Sequence, residues 1–443
     1  MTYLATIAAN RFGLGARPGE IAAAQTDPRG WLLRQIGKPP LDPNQPGAAA
    51  ALAQLALFRQ AKQAIKKDGN KPDTPPRRPL ARSFAAQVGN TLESAIGSGD
   101  SLAWRLREFF SNHFSVSSRG AALLALAPTL EHEAIAPHVF GKFEDMLLAV
   151  SSHPAMLVYL NNERSFGPDS MIGRRNRQRG LNENLAREIL ELHTLGVNGG
   201  YDQQDVIELA LAISGWSITR PREPEPRGFV FRTQGHQPGA RRVLGKTYAE
   251  AGLAQGKAVL TDLARHPATA RFLSRKLAQH FVSDKPAPAL VEQMTRRWQA
   301  SGGDLGAVIT ELINHPAAWE PEPQKFKTPR EFLISACRAT GAAGWQAREL
   351  IGALELLGQR PFNAGSPAGY GDSESAWDGA DALLARIDWA ARFSGRLGLD
   401  AERLAHNSLG AALTPATRTA IERAESRTQG IALLLMSPEF QRR

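Results

Sequence analysis

The sequence has a single cysteine, Cys337, among 443 residues. That count excludes an intrachain disulfide and any metal site built on paired cysteines. Cys337 lies in the apolar helical run EFLISACRA and reads as core; a nucleophilic role needs a histidine neighbour that the sequence does not locate. Aromatic residues make up only 7% and do not interleave with the basic stretches, so nothing marks a base-stacking platform. No apolar run approaches the roughly 20 residues of a membrane span. There is no glycine-rich phosphate loop between a strand and a helix, no GxSxG and no HExxH, which leaves the usual dinucleotide, kinase and hydrolase readings without support. The opening MTYLATIAANRFGLG has neither a basic n-region nor a long apolar h-region, so no leader is expected and cytoplasm is the default compartment.

What is present is ordinary for a globular chain: 42% hydrophobic and 22% charged residues, rich in Ala and Leu. That mix favours helix over strand. The net charge of +10 suggests an anionic partner, an acidic protein or an anionic substrate. The charge is diffuse, however, with arginine clusters only at 174–180 and 240–242. A solvated basic surface is the preferred reading, and nucleic acid is disfavoured.

Helical spacing dominates. Residues 1–60 read as short helices, and the pattern is helical almost throughout 80–220 and again from 250 to about 318. Residues 66–79, rich in Pro, Gly and charge, read as an exposed loop insertion. Residues 219–248 read as a loop and hairpin insertion in which FVF and RRVL are the candidate strands, placing β structure near 227–246. The loop 358–379 is a candidate cover for a cleft. The fold class expected is mainly α: an irregular multi-helix single domain, 1–443, with one small β-hairpin excursion. His-Pro-Ala recurs at His153, His266 and His315. Metal-binding histidines are one reading; repeated helix starts with Pro at the first helical position are the favoured one.

The run NENLAREILELHTLG, 182–196, is the candidate site. At 100° per residue, Glu183, Asn184, Arg187, Glu188, Glu191 and Thr194 share one arc, with His193 on the apolar side. Gly196 ends the helix, and Asp202 with Asp205 caps the next one, 203–216. The bland reading is a surface ladder of i,i+4 pairs. The functional reading is a partly buried carboxylate site with Glu188 and Glu191 as acid/base groups or ligands of a divalent metal. Arg187 would then orient them. A metal would need ligands from elsewhere, the candidates being His113, His138, His236 and His280.

The chain resembles the bacterial domain of unknown function 1800 family. The resemblance rests on ANRFGLG at 9–15, REFFSNHFSVS at 107–117, the long block from 133 to 162, and GLNENLAREILELHTLGVNGGYDQQDVIELALAISGW at 180–216. It continues through LARHPATARFLSRKLAQHFV at 263–282, KTPREFL at 327–333, QRPFNAGSPAGY at 359–370 and SPEFQRR at 437–443. It implies a mostly helical protein, and no activity. The motif residues it marks are His113, His138, Asn182, Glu183, Asn184, Arg187, Glu188, Glu191, Tyr201, Asp205 and Trp216. Ala136 stands where that family's pattern commonly has Arg, and Tyr370 where it usually has Trp. Relatives are often exported, which makes a periplasmic location the alternative. They often accompany a sulfatase-like protein of the domain of unknown function 1501 family.

Two functions are therefore expected. One is an enzyme with a carboxylate-rich cleft on helix 182–196, its catalytic set being Glu188, Glu191, Arg187 and His113 or His138, with Asn182, Glu183, Asn184, Tyr201, Asp205 and Trp216 as binding residues. The other is a non-catalytic helical scaffold or partner of the sulfatase-like protein.

Overall fold

The computed structural model describes residues 2–42, 44–68, 75–175, 180–220, 223 and 227–443. Parts of the expected loops at 66–79 and 219–248, and of the arginine cluster at 174–180, lie outside the described residues. Helices carry most of the described chain, and the named strands form two antiparallel hairpins. FVF and RRV are both strands, but they do not pair with each other. Phe229–Phe231 pairs with Trp216–Ile218, and Arg241–Val243 pairs with Lys246–Tyr248. The second hairpin turns through Leu244 (φ 48°) and Gly245 (φ 76°), two left-handed residues in a row, as a tight right-twisted hairpin requires.

One hydrophobic cluster runs from Ala5 near the start to Phe440 near the end. Full burial of each large apolar side chain in it contributes roughly 1.5–3 kcal/mol. The helix Ser101–His113 lies deep in this cluster. Its apolar set Leu102, Leu106, Phe109 and Phe110 is buried, and so are Arg105 and Arg107 on its other faces. A helix buried all round must satisfy its charges internally. The helix Arg78–Gly97 meets the helix Ala347–Leu356 so closely at Gly89 that a Cβ there would lie 2.2 Å from the Ala347 Cβ.

The three His-Pro-Ala sites are helix starts. His153, His266 and His315 each accept the N–H of the following Ala on Nδ1, with Pro at the first turn. Asp202 and Asp205 form a reciprocal capping box on the helix Gln203–Ala212. Among the described residues no helix is long and apolar enough to cross a membrane.

Candidate active site

The helical run at 184–194 is not uniform. It is α-helical over Asn184–Glu188 and π-helical over Ile189–Thr194, and Gly196 (φ 82°) ends it. The wider π turn shifts the faces away from a constant 100° spacing. Thr194, placed on the acidic arc by that spacing, is fully buried and donates to the Ile189 carbonyl at 2.6 Å. His193 is buried as its position implies. Burial and the nearby Lys276 charge hold its imidazole down to about 3, so it is neutral.

The acidic arc itself is half-buried. Glu183 is the N-cap residue and pairs with Arg187 at 3.1 Å; Gln203 bonds both partners. Burial and the charge of Glu191 raise the Glu188 carboxyl above its ordinary value. Tyr201 and Tyr159 are acted on by the same carboxylates, and burial followed by those charges raises both phenols. Asn182 is tied to Ser165 and caps Asn184 through Oδ1. Asp205 also receives the Leu244 N–H at 2.7 Å. Trp216 is buried against Phe229 in the first hairpin. His138 sits in a short 3-10 turn, where burial lowers its imidazole and Asp145 is the charge that acts on it. His236 faces the Ser214 carbonyl at 3.1 Å.

His113 leads elsewhere. It ends the helix Ser101–His113 and lines a cavity of about 100 Å³ that none of Arg187, Glu188, Glu191 or His138 reaches. The other walls are the helix Pro267–Phe281, which supplies Lys276 and His280, and the start of the helix Pro329–Thr340, which supplies Arg330 and Glu331. The 358–379 loop adds Phe362, Tyr370 and Asp372. Asn112 fixes the loop by a reciprocal pair: its Nδ2 donates to the Tyr370 carbonyl at 2.9 Å and its Oδ1 accepts the Tyr370 N–H at 2.7 Å.

The charged lining divides by chemistry. Glu331 accepts from Arg105 and Arg443, each at 2.7 Å, and caps its own helix through the Thr328 N–H. Burial pushes its carboxyl up, but the two guanidinium groups outweigh this and hold it well below the usual carboxylate range. Glu108 accepts from Arg330 at 3.0 Å, and burial leaves its carboxyl above the ordinary value. Glu131, in a second π segment, takes the Ser111 hydroxyl and faces Arg107 at 3.5 Å. These groups are paired and hold elements together.

The two histidines are oriented rather than neutralised. His113 Nε2 lies 3.1 Å from the His193 carbonyl, which can only accept. Nε2 therefore carries the proton, and Nδ1 presents a lone pair to Lys276 Nζ at 2.9 Å. Burial and the Lys276 charge keep His113 well below its ordinary value. His280 is the opposite tautomer. Its Nδ1 lies 3.3 Å from the Asp372 carboxylate and donates to it, while its buried Nε2 has no partner among the described residues. Burial lowers His280 despite Asp372. Asp372 is itself held ionised by His280 and Lys325 against its burial.

Among the described residues no three His, Cys, Asp or Glu side chains come together as a group that could hold a metal ion. Cys337 is buried, and burial pushes its thiol up, so it is no nucleophile at neutral pH.

A family model described as protein of unknown function (DUF1800) matches residues 7–442, nearly the whole chain. The chain belongs to the DUF1800 family. No curated protein and no solved structure matches it. In this DUF1800 chain, the segments quoted for the resemblance contribute both histidines, Lys276, Arg330 and Tyr370 to one cavity. Sequence reasoning named His113 and His280 singly and missed Lys276 and Asp372. The available signal was the i,i+4 pair Lys276 and His280, two polar residues on the stripe of Leu273 and Leu277.

Proposed function

We propose that this chain is an enzyme that performs acid–base chemistry on a small polar substrate in the cavity beneath the 358–379 loop. One observation carries the reading: His280 Nε2 is buried, bears a lone pair and has no partner among the described residues, while Asp372 orients the ring from the other side. His132, His193 and His236 also have buried ring nitrogens without a partner among the described residues; His280 differs in that a carboxylate orients its ring and that it lines the cavity. Asp372 stabilises the imidazolium that forms when Nε2 takes a proton. The loop, latched by Asn112 and Tyr370, forms one wall of the cavity.

The acidic arc supports a second site. Glu188 is raised by burial and by Glu191, the direction that favours a carboxyl group keeping its proton. Glu188 and Glu191 do not line the cavity that holds the two histidines, which makes the arc the lesser reading.

The test is turnover in a small-molecule extract of bacterial cells, followed by mass spectrometry. The wild-type protein should consume at least one compound that His280→Gln and Asp372→Asn, both folded by circular dichroism, leave untouched. No consumption, or equal consumption by the variants, overturns the proposal.

A further inference from the structure

We propose that Lys276 forms a Schiff base with a small aldehyde or ketone bound in the cavity, which makes carbonyl compounds the substrate class. The inference rests on the cavity being a site of chemistry, as argued above. Three buried or partly buried lysines lie in this part of the fold, and two have structural partners. Lys325 pairs with Asp284 at 2.5 Å and donates to the Asp372 carbonyl. Lys327 donates to Ser335 at 3.2 Å and sits over the Phe440 ring. Lys276 differs. It stands on the cavity wall, it forms no ion pair among the described residues, and its hydrogen bond goes to the lone pair of a neutral histidine, His113. The Phe272 ring lies 5.5 Å from Nζ. A lysine that serves as a nucleophile needs a neighbouring base, and His113 Nδ1 stands there.

The charges that face Nζ fit this role. His113 and His193 are both neutral, and Asp372 is the anion acting on it from the loop. Burial brings the Lys276 amine down to about 8. Roughly a tenth of it is then unprotonated at pH 7, against well under 0.1% for an ordinary lysine. His280 is one helical turn further along the same helix and lines the same cavity.

The step balances. The ammonium of Lys276 passes one proton to His113 Nδ1, and the free amine attacks the carbonyl carbon. The C–N bond forms as the carbonyl π pair moves to oxygen. His280 Nε2 carries a proton from the carbinolamine nitrogen to its oxygen, and the proton held by His113 returns to complete the departing water. One ammonium and one carbonyl compound become one protonated imine and one water, with no oxidant or reductant. Added cyanoborohydride reduces the imine only as a trap.

The experiment treats the full chain with acetone and cyanoborohydride at pH 7 and maps modified lysines by peptide mass spectrometry. Lys276 should be alkylated at least about tenfold faster than exposed Lys257, the ratio of free amine setting the direction. Lys276→Arg should remove that adduct, and His113→Gln should slow it without changing Lys257. Labelling of Lys276 no faster than Lys257 in the wild-type protein overturns the proposal. If the label fails while extract turnover is lost in His280→Gln, the imine falls and the acid–base reading stands. If the label forms while that turnover does not depend on His280, the acid–base reading falls and the imine stands.

Discussion

The Lys276 amino group lies 2.9 Å from Nδ1 of His113, joining two helices 163 residues apart in the chain. The contact joins a cation to a base that burial keeps neutral, so it gains little from charge attraction. Replacing Lys276 by Met keeps the buried stem and removes the desolvated charge. Urea unfolding at pH 7 should show stability unchanged or raised by about 1–3 kcal/mol. A loss of more than about 3 kcal/mol would show that the amine is held as one half of a structural pair.

Lys327 makes the pH dependence unusual. Burial, with Glu331 opposing it, brings its amine down to about 7, and Lys276 sits at about 8. Both groups bind their protons less tightly folded than unfolded. Between pH 7 and the ordinary lysine value near 10.4, the unfolded chain therefore holds more protons, and stability rises with pH. Unfolding followed from pH 7 to 9 should show this rise, and Lys327→Met should remove most of it. A flat or falling profile in the wild type contradicts the burial of a strained amine.

Gly369 places the loop. Its φ is 82°, and a Cβ there would lie 2.4 Å from the Asn112 carbonyl oxygen. Gly369→Ala should cost about 1–3 kcal/mol through backbone strain and release the Asn112–Tyr370 latch. Tryptophan emission should shift to the red as Trp377, which donates to the Gly371 carbonyl, becomes wetter. An unchanged spectrum and stability would mean that the loop is not held by this contact.

The acidic arc separates two roles by substitution. Glu188 holds its proton more tightly folded than unfolded, so its charge costs stability at neutral pH. Glu188→Gln should be neutral to slightly stabilising, within about 1 kcal/mol. Glu191→Gln should lower the Glu188 value, read by carboxyl NMR titration. Glu183→Gln, which breaks the pair with Arg187, should lose only a few tenths of a kcal/mol. A large loss for Glu188→Gln would instead mark the arc as a structural network.

Much of the helical fold was legible because periodicity and caps are local. Pro after His153, His266 and His315 announced helix starts, and Asp202 with Asp205 announced another. The pairing of the short strands was not, since FVF finds its partner across the loop at Trp216–Ile218 and register is a tertiary matter. The π segment at Ile189–Thr194 moved Thr194 into the core, which a fixed 3.6-residue period cannot anticipate. The cavity was legible only in pieces. His113 stood out in its own helix, but its meeting with Lys276, and that of His280 with Asp372, spans 163 and 92 residues of chain.

The proposed chemistry requires two neutral histidines of opposite tautomer in the cavity, with His280 Nε2 free to accept a proton. Nitrogen NMR of the histidine-labelled protein at pH 7, assigned with His280→Gln and His113→Gln, measures this directly. The spectrum should show His280 protonated at Nδ1 with a bare Nε2, and His113 protonated at Nε2 with a bare Nδ1. A cationic His280, or a His280 carrying its proton on Nε2, would contradict it.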